Sequence, residues 1–291
     1  ASEPSKPHLS ASSLGLFLRC PEAYRRRYVE GEKSKSNMAM IKGKAFHSAC
    51  DGNMKSKIET GKALTLNELY QIMEDKLSDE VKEAGESDDN GDHASAVKHL
   101  VRAHHHLQAP DYKPVATEVG FRIELESNSH DYVGFIDMVG ELEGTGEPVI
   151  VDWKTSGKKP ANNSQHDSDQ LTGYYASKVD ELGKNVELRL DNLTMGKTAT
   201  PKVKRHVLAT RRDEEDVVAF AQKINIASKV IDQGLFPPAS SQSWWCSASW
   251  CQYHATCKYV NPNRRTKEAA REKMKEAVEL ISINEKEAND E

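Results

Sequence analysis

The stretch from Val115 to Lys154 constrains the fold most, because its apolar residues switch from helical spacing to alternation. Val119, Phe121, Ile123 and Leu125 recur on one face, with Glu118, Arg122 and Glu124 on the other, which is the pattern of a half-buried strand. Tyr132 to Leu142 and Pro148 to Lys154 read as two more strands around the turn Glu143-Gly144-Thr145-Gly146. Side chains alternate along Val149 to Lys154, so Asp152 and Lys154 share one face and Val149, Val151 and Trp153 the other. A hairpin centred between Gly144 and Thr145 pairs positions whose numbers add to 289, which sets Asp137 directly opposite Asp152.

Two like charges facing each other across strands repel, and neither has a structural reason to sit in an apolar run. A divalent cation removes the conflict. Carboxylate oxygens with few nitrogen ligands suit magnesium or manganese, which would polarise a phosphodiester oxygen and lower the pKa of a water. Lys154 beside them could position the attacking water or stabilise charge on the phosphate. The residues alone leave open a plain Asp-Lys ion pair at a strand edge.

Around this hairpin the chain reads as helices first: Ser10 to Tyr28, a stretch from about Ile41 past His47, Leu64 to Ala84 and Ala94 to Leu107. The acidic stretch Gly85 to Asp92 is expected to be a loop. After the three strands come a helix over Asp167 to Leu182, strands over Val186 to Leu193 and Val203 to Thr210, and a helix over Asp213 to Ile231. This order describes an α/β core with a helical cap. Ala270, Met274, Ala277, Val278 and Ile281 recur at helical spacing in the charged tail and predict an amphipathic terminal helix.

Across 291 residues the net charge is -5, which at first argues against a nucleic-acid partner. The deficit is local: Glu74 to Asp92 holds nine acids against two lysines, a net of -7, so the remainder is +2. Thr194 to Arg212 carries Lys197, Lys202, Lys204, Arg205, Arg211 and Arg212 without one acid, a strip that could track a phosphate backbone or be a solvated hairpin. No apolar run approaches the roughly 20 residues of a membrane span and Ala1 to Pro7 has no signal pattern, so a cytoplasmic protein with no membrane partner is expected. Gly196-Lys197-Thr198 lacks the upstream glycine of a phosphate-binding loop, since that position is Asp191. No motor is encoded. His104-His105-His106 point in different directions on a helix and are expected to be solvated.

Five cysteines form no even disulfide framework, and Cys246, Cys251 and Cys257 crowd into twelve residues, which suggests a metal in a reducing compartment. Tetrahedral zinc would suit four thiolates, with His254 able to replace one. Cys50 is left over as a structural residue. Trp244, Trp245, Trp250 and Tyr253 interleave with the thiols, where burial is the commoner fate and stacking on single-stranded DNA the other.

Taken in order, Ser10 to Leu14 through Cys20-Pro21 to Tyr24 and Tyr28, Gly43 to His47, Asp137, Asp152-Trp153-Lys154, Gln170-Leu171-Thr172-Gly173-Tyr174 and the C-terminal cysteines follow one family. Over about Ser10 to Tyr259 the chain resembles the RecB-like branch of the PD-(D/E)XK nucleases. That branch includes phage exonucleases, the AddB nuclease domain and CRISPR adaptation nucleases with an iron–sulfur cluster. The resemblance implies a restriction-endonuclease-like core, a central mixed sheet flanked by helices. A helical region over 1–110, the core over 111–235, a cysteine region over 236–262 that closes onto Cys20, and a charged helix over 263–291 would make up the chain.

The resemblance makes Asp137 and Asp152 metal ligands, with the Trp153 carbonyl a third and His47 the extra histidine ligand of the branch, and makes Lys154 catalytic. Gln170 and Tyr174 match its Q-x-x-x-Y motif, one helical face apart by four residues, where they would contact DNA or orient the site. Glu118 is a weaker acid candidate. Cys20 would join Cys246, Cys251 and Cys257 to hold a four-iron four-sulfur cluster, although the first spacing is wider than the family's usual C-x-x-C. The expected function is a Mg2+- or Mn2+-dependent DNA exonuclease acting on ends or single strands in recombination, repair or phage DNA processing, with a helicase or recombination protein as a possible partner. The rival expectation is a non-catalytic DNA-end-binding module with the same fold.

Overall fold

A computed structural model describes residues 6–32, 37–88, 91–196 and 201–260. The expected terminal helix and Lys197 lie outside the described residues. The chain forms two compact units, Ala1–Leu14 with Lys35–Gln233 and Gly15–Ser34 with Gly234–Glu291. The helical region expected over 1–110 is therefore divided: most of it belongs with the core strands, and the segment around Cys20 belongs with the C-terminal cysteines.

The larger unit is a six-stranded mixed sheet. Strand β1 (His8–Leu9) pairs in parallel with the start of β3 (Asp131–Leu142). Strands β2 (Tyr112–Ile123), β3 and β4 (Pro148–Ser156) form an antiparallel meander, β4 pairs in parallel with β5 (Glu187–Met195), and β6 (Val203–Thr210) closes the edge antiparallel to β5. Parallel pairing of β4 and β5 needs a crossover, which α6 (Asp169–Leu182) supplies.

Helices cover both faces. α3 (Met38–Thr60), α4 (Leu66–Ala84) and α5 (Asp92–Ala103) enclose a core with Met138, Val149, Val151 and Trp153. Leu171, Tyr174 and Tyr175 of α6 pack the other face with Ile136, Ile150, Leu188 and Leu190. Alternation along β4 is thus as expected: Val149, Val151 and Trp153 enter the first core, and Ile150 enters the second. α6 approaches closely because residue 173 is glycine; a Cβ there would lie 2.6 Å from the Tyr132 ring. α7 (Glu214–Asp232) opens with a reciprocal cap between Asp213 and Asp216, as α4 does between Thr65 and Glu68.

Two expectations are corrected. The helix expected over Ser10 to Tyr28 breaks at Cys20-Pro21 into α1 (Ala11–Arg19), α2 (Pro21–Tyr24) and a π turn over Arg25–Val29. Proline has no amide to continue α1, and extended Cys20 starts a new helix with proline in its first turn. The three adjacent histidines are not all solvated. They open a π turn, His104–Gln108, that drops His104 into the core against the rings of Phe46 and Trp153. Its Nδ1 is 3.1 Å from Gln108 Oε1, and burial lowers its pKa to about 4, so it stays neutral.

Candidate active site and cysteine cavity

The hairpin register fixes the acids. Met138 pairs with Val151, Val139 with Ile150, Gly140 with Val149 and Glu141 with Pro148. Asp137 and Asp152 are next in that register, at the point where the ladder ends. There the Trp153 amide donates to Asp137 Oδ2 at 2.7 Å, so a side chain takes over from the β3 backbone. Asp137 Oδ1 lies 3.3 Å from His47 Nδ1 on α3.

Asp152 is 1% exposed and bound from two sides. Its Oδ2 is 2.7 Å from Lys154 Nζ, and its Oδ1 accepts from the Tyr174 hydroxyl at 3.1 Å. Lys154 also donates to Gln170 Oε1 at 3.2 Å, and Gln170 Nε2 donates to the Tyr174 oxygen at 2.5 Å. Gln170 and Tyr174, one turn apart on α6, therefore close a ring of contacts with Asp152 and Lys154.

Glu118 occupies the β2 position between the pairs Thr117–Met138 and Val119–Ile136, which sets it opposite Asp137. It alone among the described non-glycine residues has a positive φ, 47°. Such strain inside a strand persists only where the surroundings impose it. One ligand atom each from His47, Glu118 and Asp137 lie within 4.8 Å of one another. Asp152 is outside this compact group, with Lys154 Nζ near its Oδ2 and the Tyr174 hydroxyl on its Oδ1. Sequence reasoning ranked Glu118 low, since no turn pattern fixes the β2–β3 register, which shifts between Pro114 and Ala116.

Electrostatics point to an excess of negative charge. Burial, with the nearby Asp137 charge, raises the Asp152 pKa, and burial with Asp137 and Asp51 raises that of Glu118. Burial opposes the charged forms of His47 and Lys154, but the hydrogen bond His47 donates to Asp137 and the charge of Asp152 respectively outweigh it, and both are raised. Two carboxylates and one imidazole in one group, with the Asp152 carboxylate next in register to Asp137, are an oxygen-rich donor set that fits magnesium or manganese.

Of the basic strip, Lys202 and Lys204 are exposed and line a groove of about 600 Å³ with Lys159, Thr194 and His206. Arg205 turns inward, with both Nε and Nη2 on the buried Asp191 carboxylate and Nη1 on Asp111. Arg212 is buried as well, donating to Gln165 and Thr172. Their guanidinium groups are committed to the fold, so neither offers a free cation to a phosphate.

In the smaller unit Cys20, Cys246, Cys251 and Cys257 line one cavity of about 650 Å³. Burial raises the Cys251 thiol, and the charges of Cys20, Cys246 and Cys257 add to the effect. The buried Trp245 Nε1 on the same cavity has no acceptor among the described residues. A sulfur-rich anionic cofactor would give that donor a partner. Among the described residues no three cysteine sulfurs fall within 4.8 Å of one another, whereas tetrahedral zinc at about 2.3 Å from each sulfur would draw them to about 3.8 Å. As they stand, the sulfurs are too far apart for three of them to share one tetrahedral zinc. Cys50 sits in the core of the larger unit.

No curated protein matches the sequence. Among solved structures, the chain is similar to a protein from Eubacterium rectale described as "Putative exonuclease", at 13% identity and a TM-score of 0.51 over 82% of this chain and 86% of that one. It is also similar to one described as SSO0001, at 13% identity, over 91% and 89%, with a TM-score of only 0.40. The first likeness concerns the fold. The sequence profile of the PD-(D/E)XK nuclease superfamily matches residues 8–258, from β1 through the cysteine cavity. With the acids and lysine of that name on neighbouring strands of a mixed sheet, the chain belongs to the PD-(D/E)XK nuclease superfamily.

Proposed function

We propose that this nuclease is a divalent-metal-dependent deoxyribonuclease of the RecB-like branch, an exonuclease working on DNA ends or single strands in recombination, repair or phage DNA processing. The contact ring Asp152–Lys154–Gln170–Tyr174 beside the group His47–Glu118–Asp137 carries this reading. His47, Glu118, Asp137 and Asp152, with the Trp153 carbonyl, would hold Mg2+ or Mn2+. Bound there, the metal would act as a Lewis acid on a phosphodiester oxygen.

The chain's own residues divide the remaining work. Lys154, its charge kept by Asp152, is placed to stabilise negative charge as it develops on phosphate and to orient an attacking water. Gln170 holds the lysine, and the Tyr174 hydroxyl, donating to Asp152, favours its ionised form against burial. Both are positioning residues. Lys202 and Lys204 line a groove suited to the phosphate backbone. Cys20, Cys246, Cys251 and Cys257 would hold a four-iron four-sulfur cluster, supported by their shared cavity and the spare Trp245 donor.

Cleavage of end-labelled linear single- and double-stranded DNA with Mg2+ or Mn2+ tests the reading. Metal-dependent release of labelled mononucleotides or short fragments that Asp152→Ala abolishes, with the fold intact, is the expected result. Binding without cleavage under either metal would instead support a non-catalytic end-binding module.

A further inference from the structure

Burial is not the fate of all the tryptophans around the cysteine cavity. Trp250 is 69% exposed, the most exposed large apolar side chain among the described residues, and Trp244 is 61% exposed. A tryptophan side chain can bury some 150–250 Å², so leaving two uncovered forgoes a large hydrophobic gain. Their rings hold one another edge to face, with centroids 5.0 Å apart at 88°, and Trp245 meets Trp244 at 5.4 Å and 79°. The cluster therefore presents fixed ring faces to solvent.

The sequence segment that carries it has charge of one sign. No acidic residue occurs between Asp232 and Glu268 in a chain that is acidic as a whole. Arg19 and Arg27 line the same cavity as Trp244 and Trp250. Arg25 and Arg26 are neutralised by Glu22, Glu30 and Glu32, but Arg19 and Arg27 form no ion pair among the described residues. Exposed Lys258 lies over the Tyr259 ring at 4.9 Å. Solvent-facing indoles flanked by cations that no carboxylate among the described residues neutralises match a strand that offers both unpaired bases and phosphates.

We propose that Trp244 and Trp250 form a base-stacking platform for single-stranded DNA, with Arg19 and Arg27 contacting its phosphates. Duplex DNA keeps its bases stacked on one another and presents no free face, so the platform selects unpaired strands. This deepens the nuclease reading by assigning a second contact surface for its substrate.

The test is the affinity of the full chain for a dye-labelled 20-nucleotide oligothymidylate, measured by fluorescence anisotropy without divalent metal, beside a blunt duplex of equal length. Trp244→Ala/Trp250→Ala is expected to weaken oligothymidylate binding at least about tenfold and to leave duplex binding within about twofold. Trp250→Phe should retain most of the affinity, which separates stacking from loss of fold. Quenching of the wild-type tryptophan emission by the oligonucleotide gives a second readout that needs no variant. Unchanged affinity in the double variant, an equal loss for duplex, or wild-type self-association that the double variant abolishes would each overturn the platform. Tryptophan-dependent binding by a wild-type chain that cleaves no DNA would remove the nuclease reading and leave the platform standing.

Discussion

Replacing Tyr174 by phenylalanine removes one hydroxyl from the buried site, which also takes the acceptor from Gln170 Nε2. The ring stays edge-on to Phe121 at 5.8 Å, but Asp152 Oδ1 loses the donor at 3.1 Å. Tyr174 is 2% exposed and Asp152 1%, so no water can take its place. A hydrogen bond to a charged group contributes about 1.5–3 kcal/mol, and we take about 2 kcal/mol for this one. In a unit of roughly 200 residues, with an unfolding entropy near 0.4 kcal/mol/K, that is a fall in Tm of about 5 °C. The loss falls on the ionised acid. The already raised Asp152 pKa therefore climbs further. A carboxyl whose folded pKa exceeds its unfolded value costs stability above that pKa and regains it as pH falls. The Tm deficit should therefore be full at pH 8 and shrink as acid neutralises Asp152, while the acid limb of the cleavage–pH profile moves to higher pH. Melting curves followed by circular dichroism between pH 5 and 8, with cleavage rates over the same range, measure both. An unchanged Tm at pH 8, or a deficit equal at every pH, would refute the argument.

Three further perturbations probe the surroundings. Gly140→Ala should destabilise by about 2–3 kcal/mol in urea titration, because its Cβ would meet the Lys113 carbonyl oxygen at 2.3 Å and no rotamer can relieve a backbone clash; wild-type stability would contradict the β2–β3 register. Glu118→Gln should weaken Mn2+ binding at least about tenfold without lowering Tm, since it removes a ligand charge that repels Asp137; calorimetry showing wild-type affinity would take Glu118 out of the metal site. His47, raised above its ordinary value of 6.5, must lose its proton to act as a ligand. Mn2+ affinity should accordingly fall towards tenfold per pH unit below the His47 pKa, and His47→Asn should flatten that dependence.

Much of the scaffold was legible because it rests on local pattern. The bounds expected for β6 match, and the hairpin register centred between Gly144 and Thr145 is observed over four pairs. A short turn and strict alternation determine both. The placement of Asp152 and Lys154 on one strand face, and of Gln170 and Tyr174 on one helical face, followed from periods of 2 and 3.6, while the meeting of the two pairs at one site was implied by the family resemblance. What escaped depends on contacts distant in sequence. Glu118 joins His47 and Asp137 through a strand pairing that no turn dictates. Arg205 reads as a free cation in a basic run, yet across 14 residues it pairs with Asp191, buried with the Tyr112 hydroxyl and the Gln108 amide. Exposure of Trp244 and Trp250 has no sequence signal, because composition favours burying such residues.

The central claim is that the carboxylates, His47 and Lys154 make a metal-dependent phosphodiesterase. Single-turnover cleavage of end-labelled single-stranded DNA at saturating Mn2+, with Mn2+ binding followed on the same samples, compares wild type with Lys154→Met most directly. Cleavage that requires the metal and falls by about 10²–10³ in the variant, while Mn2+ still binds, is the predicted result. Absence of cleavage by the wild type with bound Mn2+, or equal cleavage by both chains, would contradict it.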